Sequence, residues 1–240
     1  MSEHDPARAP QPGRDLFGRR ITERPAGRQL PLPLGWAASA HGTDPVFLTG
    51  DSNAEAVLHI QRFADWPSPA SVLVGPPGSG RSTLARLFAE ASGGEVIDPF
   101  AGSEEIAVFH AWNRAQAERL PLLLVADDEA ELVAVRLPDL ATRLATAPVV
   151  RFGAPDLALS AALIDRLLLA RGVHLATPVG GYVAARIDRS YAAIHAAVAA
   201  IDAHSFAGSK AAGLRNVRAA LIAAGLYGET TPAPDSPEKT

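Results

Sequence analysis

A glycine-rich loop limits the folds open to this chain more than any other segment. Residues 75–82 read GPPGSGRS and lie between an apolar run, 71–74, and a stretch with helical character. The loop matches the P-loop pattern G-x-x-x-x-G-K-[ST] except at Arg81, which stands in the lysine position. Glycines let backbone N–H groups surround a phosphate, and the N-terminus of a following helix adds partial positive charge. The sequence therefore predicts a nucleotide-binding strand–loop–helix unit; a glycine-rich turn that binds nothing is the alternative.

Both backbone and side chains of this loop are expected to contact nucleotide. The guanidinium of Arg81 is planar and bulkier than the point charge of a lysine; it can still neutralise phosphate, and a different position is one possibility. We expect the Ser82 hydroxyl to ligate Mg²⁺. The predicted nucleotide-binding residues of the loop are Gly75, Pro77, Gly78, Ser79, Gly80, Arg81, Ser82 and Thr83.

A P-loop ATPase also needs an acidic side chain at the end of a neighbouring strand, where it holds the hydration shell of Mg²⁺. Asp98 follows a short apolar run, and Asp127 with Asp128 follows the longer apolar run that ends at residue 126. From the residues alone, the second position looks more like the acidic Walker B sequence. Either position could instead be a solvated loop at the end of a strand.

Strand and helix signals alternate up to residue 153 and then give way to helices alone. Alternation of this kind favours right-handed βαβ units and a parallel sheet. The predicted strands are 71–74, 95–98, 120–126 and 149–152. The predicted helices are 53–66, 82–92, 103–118 and 138–144, followed by 155–171, 178–187, 190–206 and 214–224. We therefore predict a nucleotide-binding α/β domain over 44–153 and a small all-helical domain over 154–228.

The segments at both ends have the composition of disordered chain. Residues 1–28 are rich in proline and arginine, and residues 229–240 read ETTPAPDSPEKT, so neither segment can bury enough apolar surface to offset the entropy of ordering. Between the first segment and the fold, residues 29–34 read QLPLPL. Proline fixes its own φ and favours extended geometry in the residue before it, so this hexamer is predicted to be a stiff, extended apolar peptide.

Composition and charge exclude several classes of protein. The chain has no cysteine, which excludes disulfides, thiolate metal sites and a cysteine nucleophile. Its formal net charge of −4 argues against a protein that coats DNA, although Lys210, Arg215 and Arg218 could either touch DNA or form a solvated face.

The histidines, His195 and His204 among them, are scattered without metal-ligand spacing. No apolar run reaches the ~20 residues of a membrane span and the N-terminus lacks a signal-peptide core, so we expect a cytoplasmic protein without a membrane partner.

Four stretches together are similar to the Hda family, the DnaA-related regulators of bacterial replication initiation within the AAA+ class. They are QLPLPL at 29–34, PVFLTGDSNAEAV at 45–57, FHAWNRAQAERLPLLLVADD at 109–128 and RLPDLATRL at 136–144. The resemblance covers roughly residues 29–225 and depends most on the first and last of these stretches. It implies the AAA+ fold, in which a P-loop parallel sheet flanked by helices is followed by a small helical lid.

The resemblance also implies roles for particular residues. The hexamer would dock on the DNA-loaded sliding clamp, and its predicted contacts are Gln29, Leu30, Leu32, Pro33 and Leu34. Arg143 would be the arginine finger that enters the ATP site of a DnaA molecule. Asp98 would become the Walker B acid, and Asp127 would end the sensor 1 strand. Without the resemblance, Arg143 reads as a surface arginine near a helix C-terminus, and the hexamer as a segment that merely packs on the domain.

This chain departs from the family pattern around the nucleotide. Arg81 replaces the lysine, Pro99 follows the Walker B acid, and Ala192 stands near the place of the sensor 2 arginine, with Arg189 one turn earlier. A strand–helix unit of the family is also missing between the P-loop helix and Asp98. These departures predict that ATP hydrolysis by the chain itself is weak or absent. ADP or ATP, with Mg²⁺, would be held as a structural ligand, with ADP favoured; the alternative is that no nucleotide is held.

We therefore expect a regulatory adaptor that docks on the clamp and promotes hydrolysis of DnaA-bound ATP, which limits the initiation of replication. Its expected partners are the sliding clamp, DnaA and a second copy of the chain, with DNA contacted only indirectly or weakly. The alternatives are a DnaA-like initiator or helicase loader that acts on DNA, and a self-sufficient ATPase. An initiator of the DnaA type would carry a C-terminal helix-turn-helix domain, and we expect none here because few residues follow the lid.

Overall fold

The computed structural model describes residues 47–173, 178–206 and 213–227. The predicted disordered segments, the hexamer 29–34 and Lys210 lie outside the described residues. The predictions made for them are therefore not addressed by the structure.

Four parallel strands form one sheet in the described residues. They are β1 (Ala70–Val74), β2 (Glu95–Ile97), β3 (Leu122–Ala126) and β4 (Val149–Arg151). The strand order is β2-β3-β1-β4, so β1 and β3 are central and are buried along their whole length. In the β1–β3 register Val74 lies opposite Ala126, which places the loop after β1 beside the end of β3. The predicted parallel α/β sheet is confirmed.

Helices cover both faces of this sheet because successive strand residues point to opposite sides. The helices of this unit are α1 (Ala54–Gln61), α2 (Arg81–Ser92), α3 (Glu105–Glu118), α4 (Ala130–Val133) and α5 (Pro138–Leu144). Val72 and Leu124 belong to a core that they share with α3 and α5. Leu73 and Leu123 belong to a second core, shared with α1 and α2. The helices α2 and α5 therefore lie on opposite faces of the sheet.

A unit made of helices follows β4 and has its own core. Its helices are α6 (Leu157–Ala170), α7 (Gly180–Ala184), α8 (Tyr191–Phe206) and α9 (Leu214–Ala223). Ile164, Val183 and Ile194 are among the fully buried residues of this core. Asp156 caps α6 by accepting a hydrogen bond from Leu159 N at 2.7 Å. We call this unit the helical lid. None of the helices in the described part of the chain has the length and apolar character needed to cross a lipid bilayer.

The elements differ from the predicted ones at three places. The predicted helix 53–66 ends at Gln61 and is followed by a 3₁₀ turn at Phe63–Asp65, and α4 was not predicted. The predicted helix 178–187 is wrong in length, since α7 has five residues. At its start α7 packs closely on α6, since a Cβ on Gly180 would lie 2.0 Å from the carbonyl oxygen of Ala161. Between α2 and α3 only β2 is present, which agrees with a missing strand–helix unit.

Candidate functional site

The glycine-rich loop after β1 closes with a tight turn. Ser79 N donates to the carbonyl oxygen of Pro76 at 3.2 Å, and Gly78 has a φ of +78°. Proline in the second position and glycine with positive φ in the third are typical of a type II turn, which Pro77 and Gly78 satisfy. Gly75 N donates to Ala126 O at 3.2 Å, which ties the start of the loop to the end of β3. The loop therefore has a defined shape anchored on the sheet.

The loop leads into the first turn of α2, where backbone N–H groups lack hydrogen-bond acceptors within the helix. The first helical bond of α2 runs from Leu84 N to Gly80 O, so the preceding N–H groups of the first turn have no acceptor within the helix. Ser79 is 6% exposed, and its Oγ has no partner in the described residues. Ser82 lies in the same first turn and is exposed. A helix of 12 residues with free N–H groups and an unpartnered buried hydroxyl is suited to an anion such as a phosphate.

Arg81, in the lysine position, extends past Gly75 to the end of β3. Its guanidinium donates to the carbonyl oxygen of Ala126 and, through Nη2, to Oδ1 of Asp127 at 2.5 Å. The residue is 8% exposed, so this pair is largely enclosed on the arginine side. Arg81 and Asp127, both predicted nucleotide-binding residues, are thus brought together, but they bind each other. To contact phosphate, Arg81 would have to leave this ion pair.

Asp98 lies farther from the loop than Asp127. It follows β2 at the edge of the sheet, and β3 stands between β2 and the loop-bearing β1. The side chain of Asp98 is exposed. The described residues contain no group of three acidic or histidine side chains that could hold a metal ion by themselves. Any Mg²⁺ at Ser82 would therefore take most of its ligands from phosphate and water, as Mg²⁺ commonly does.

The helical lid reaches the loop through a side chain that sequence reasoning did not select. His195 Nε2 on α8 lies 3.0 Å from the carbonyl oxygen of Gly78. Ala192 and Arg189, the residues considered for the sensor 2 place, are both exposed. Because 117 residues separate His195 from Gly78, local sequence carries no signal for their contact.

Buried hydroxyl groups lie where the lid meets the segment before α1. Tyr191 is 2% exposed, and its hydroxyl group lies beside the hydroxyl of Ser52. Burial raises the pKa of the Tyr191 phenol. Asn53 keeps the neighbouring turn in place, since its amide accepts from Gly50 N at 2.9 Å and donates to Leu48 O at 3.1 Å. The lid and the segment before α1 therefore meet through buried polar side chains.

Arg143 is held on the other side of the sheet from the P-loop helix. It lies on α5, where its Nη1 donates to Asn113 Oδ1 at 2.8 Å and its guanidinium carbon stands 4.5 Å from the centre of the Phe109 ring. Both partners belong to α3. The side chain is half-buried, so it is oriented by α3 and still reaches the surface. Since α2 packs on the opposite face, Arg143 does not belong to the chain's own loop site.

The start of α5 is fixed by a carboxylate of α3. Glu105 accepts hydrogen bonds from the backbone N–H groups of Arg136, at 3.0 Å, and Leu137, at 2.7 Å. These bonds lower the pKa of Glu105. Two independent links from α3 therefore position α5 and its arginine.

Comparison with known proteins identifies the fold. No protein-family model matches the chain, and no curated protein matches it in sequence. The structure is similar to domain III of the replication initiation protein DnaA from Thermotoga maritima, with a TM-score of 0.58 and 14% identity, over 74% of this chain and 94% of that one. It is also similar to a DNA replication initiation factor, with a TM-score of 0.51 and 15% identity over 68% of this chain and 64% of that one. For AMPPCP-bound DnaA from Aquifex aeolicus the TM-score is 0.50 and the identity 16%, over 65% and 63% of the two chains. The chain has the AAA+ fold, as predicted.

Proposed function

We propose that this chain is a nucleotide-binding regulator of the Hda type, which docks on a sliding clamp and promotes hydrolysis of ATP bound to DnaA. Initiation of chromosome replication would thereby be limited once clamps are loaded on DNA. The observation that carries the proposal is the position of Arg143, which is held rigidly near the surface on the face of the sheet away from its own P-loop. A guanidinium placed in this way can serve the active site of another molecule.

The contacts of Arg143 suit a group that acts in trans. Fixing a long side chain costs conformational entropy. The hydrogen bond to Asn113 and the stacking on Phe109 already hold the Arg143 side chain in one position, so less entropy is lost when a partner binds. An arginine supplied in trans stabilises the charge that develops on the transferred phosphoryl group, and it accelerates hydrolysis ~10³–10⁵-fold in GTPase systems. Arg143 would contribute in the same way to DnaA-bound ATP.

The loop site of this chain is proposed to hold ADP or ATP without efficient hydrolysis. The free N–H groups of α2 and the unpartnered Ser79 Oγ favour phosphate binding. The positive charge that a P-loop lysine would supply is engaged with Asp127, and Asp98 is exposed at the sheet edge. Bound Mg²⁺ would neutralise the phosphates, with Ser82 as its protein ligand.

Clamp docking is proposed for Gln29–Leu34, outside the described residues. Its support is the sequence: an extended peptide with leucines separated by proline presents its side chains to separate pockets. A clamp ring offers repeated sites, so a weak peptide can gain from valency. The further partners that we propose are DnaA and a second copy of the chain, with DNA contacted weakly, and the proposed compartment is the cytoplasm.

Turnover of DnaA-bound ATP, measured with DNA-loaded clamp, tests the regulatory role. We expect the wild-type chain to stimulate turnover and the Arg143→Ala variant to lose the stimulation, by ~10³-fold or more. The matched control is Arg114→Ala, an exposed arginine on α3 whose partner is Glu95, and it should behave like the wild type. A pull-down with the clamp should retain all three proteins. Full stimulation by Arg143→Ala would refute the proposed finger.

A second candidate is a DnaA-like or helicase-loading ATPase that acts on DNA. The well-formed P-loop and the similarity of the fold to AMPPCP-bound DnaA favour it. It requires ATP turnover by the isolated chain, abolished in the Asp98→Ala variant, together with salt-dependent DNA binding. Turnover without clamp or DnaA would favour this candidate over the regulator.

A further inference from the structure

His195 forms a polar contact between the helical lid and the tip of the P-loop. Its Nε2 lies 3.0 Å from the carbonyl oxygen of Gly78, and since a carbonyl only accepts, Nε2 must carry the proton and donate. The imidazole is half-buried on α8. Gly78 permits this close approach, because a Cβ at that position would stand 2.8 Å from two atoms of the ring.

This contact restrains the part of the loop that faces phosphate. The carbonyl of Gly78 and the N–H of Ser79 belong to one planar peptide, and that N–H also closes the turn on Pro76. Ser79 carries the buried Oγ without a partner, and the free N–H groups of α2 follow directly. Holding the Gly78–Ser79 peptide in one orientation therefore keeps these donors in place before phosphate arrives, which reduces the cost of binding.

The side chain in the lysine position does not provide the same restraint. Arg81 is bound to Ala126 and Asp127 at the end of β3, below the tip of the loop. The tip of the loop, at Gly78, is thus held by His195 of the lid. The start of the loop, at Gly75, is held by its hydrogen bond to Ala126 of β3. An interaction that joins lid and loop also links the position of the lid to the binding of nucleotide.

We propose that His195 is a positioning residue of the nucleotide site: its hydrogen bond to Gly78 keeps the helical lid on the P-loop and raises the affinity of the site for nucleotide. The proposal rests on the nucleotide-binding part of the proposed function and names the lid residue that controls it. His195 acts through the shape of the loop.

The test compares variants of the full chain by calorimetric titration with ADP. We expect His195→Ala to weaken ADP binding about two- to twelve-fold, the range that corresponds to one hydrogen bond of ~0.5–1.5 kcal/mol. His195→Gln keeps an N–H donor of similar reach and should stay within about two-fold of the wild type. His204→Ala is the matched control, since His204 is exposed on the same helix, and should bind like the wild type.

Hydrogen exchange in the ligand-free protein gives a readout that does not depend on nucleotide. Amides of residues 75–83 should exchange faster in His195→Ala than in the wild type, while the strands β1 and β3 exchange as before. A merely structural role would accelerate exchange throughout the protein and would not be rescued by glutamine.

The outcomes separate this proposal from the one on which it rests. If the wild type binds ADP and His195→Ala binds it equally well, the positioning role is overturned and nucleotide binding stands. If His195→Gln is as weak as His195→Ala, the hydrogen bond is not the cause and the proposal fails as well. If the wild type binds neither ADP nor ATP, the proposed nucleotide site is overturned. Hydrogen exchange then tests the contact between His195 and Gly78 by itself. Unchanged exchange of the loop in His195→Ala would exclude this contact, whereas faster exchange would support the contact.

Discussion

Replacing Asp127 with alanine removes the carboxylate that neutralises an enclosed guanidinium. The side chain of Arg81 is 9% exposed and that of Asp127 is 50% exposed, and they meet at 2.5 Å. In the Asp127→Ala variant the guanidinium would keep the carbonyl oxygen of Ala126 as a neutral acceptor and would have no charged partner in its place. The expected result is a loss of stability, because a buried charge without a counter-charge is costly.

The magnitude follows from the exposure of the two partners. Breaking a fully buried ion pair by removing one member costs ~3–5 kcal/mol. Half of Asp127 faces solvent, which screens the pair and reduces that figure. A loss of ~1.5–3 kcal/mol, the range of one hydrogen bond to a charged group, is therefore expected. For a protein of this size it corresponds to a decrease in Tm of about 3–12 °C.

Equilibrium unfolding in urea measures the difference, with an exposed ion pair as the control. Arg86 and Glu90 on α2 meet at 2.8 Å but are both about half exposed, so Glu90→Ala should cost less than ~0.5 kcal/mol. The double variant Arg81→Met/Asp127→Ala removes both charges and should be more stable than Asp127→Ala alone. Equal losses in Asp127→Ala and Glu90→Ala, or a double variant less stable than the single one, would refute the reasoning.

Three further changes have defined outcomes. Asn113→Ala frees the guanidinium of Arg143 from one bond, so stimulation of DnaA-bound ATP turnover should fall about ten-fold with clamp binding retained; unchanged stimulation would contradict the positioning by α3. Gly180→Ala places a Cβ 2.0 Å from the backbone oxygen of Ala161 and should lower the free energy of unfolding by ~1–3 kcal/mol in urea, a prediction that a variant of wild-type stability would disprove. Glu105 has a pKa lowered by backbone N–H groups, so its contribution to stability is present above the unfolded value of ~4.3 and is lost as the pH falls through the folded value. Glu105→Gln should therefore be less stable than the wild type at pH 7, and the difference should shrink as the pH falls below ~4.3; a difference that stays constant with pH would show that another cause is at work.

The parts of the fold that depend on local pattern could be predicted from the sequence. The short apolar run before the glycine-rich loop was predicted as a strand and is one. The type of turn within the loop was not predicted, although proline fixes the φ of Pro77 and glycine permits the positive φ of Gly78. Alternation of strands and helices also predicted the parallel sheet. Boundaries shifted by one to five residues where helix ends depend on packing: α3 begins at Glu105 and not at residue 103, and α1 ends at Gln61 and not at residue 66.

The features that could not be predicted arise from residues far apart in the chain. Arg81 was expected at phosphate, but its direction is decided by acceptors 45 and 46 residues away. The contact of His195 with Gly78 depends on how the lid meets the loop. Asn113 is one turn from Phe109 on α3, yet its link to Arg143 appears only when α5 packs against α3. Sequence pattern indicates which elements form, whereas these contacts require their arrangement in space.

The sheet stops at β2, and the outer edge of that strand pairs with no other strand in the described residues. Open edges tend to recruit foreign strands, which leads to aggregation. Here the exposed rim is only three residues long, and its first residue, Glu95, forms an ion pair with Arg114 of α3. A peptide that paired with this edge would form few backbone hydrogen bonds and would have to displace the ion pair. The sheet therefore lacks an outer strand and helix without exposing a long edge at which other chains could add a strand.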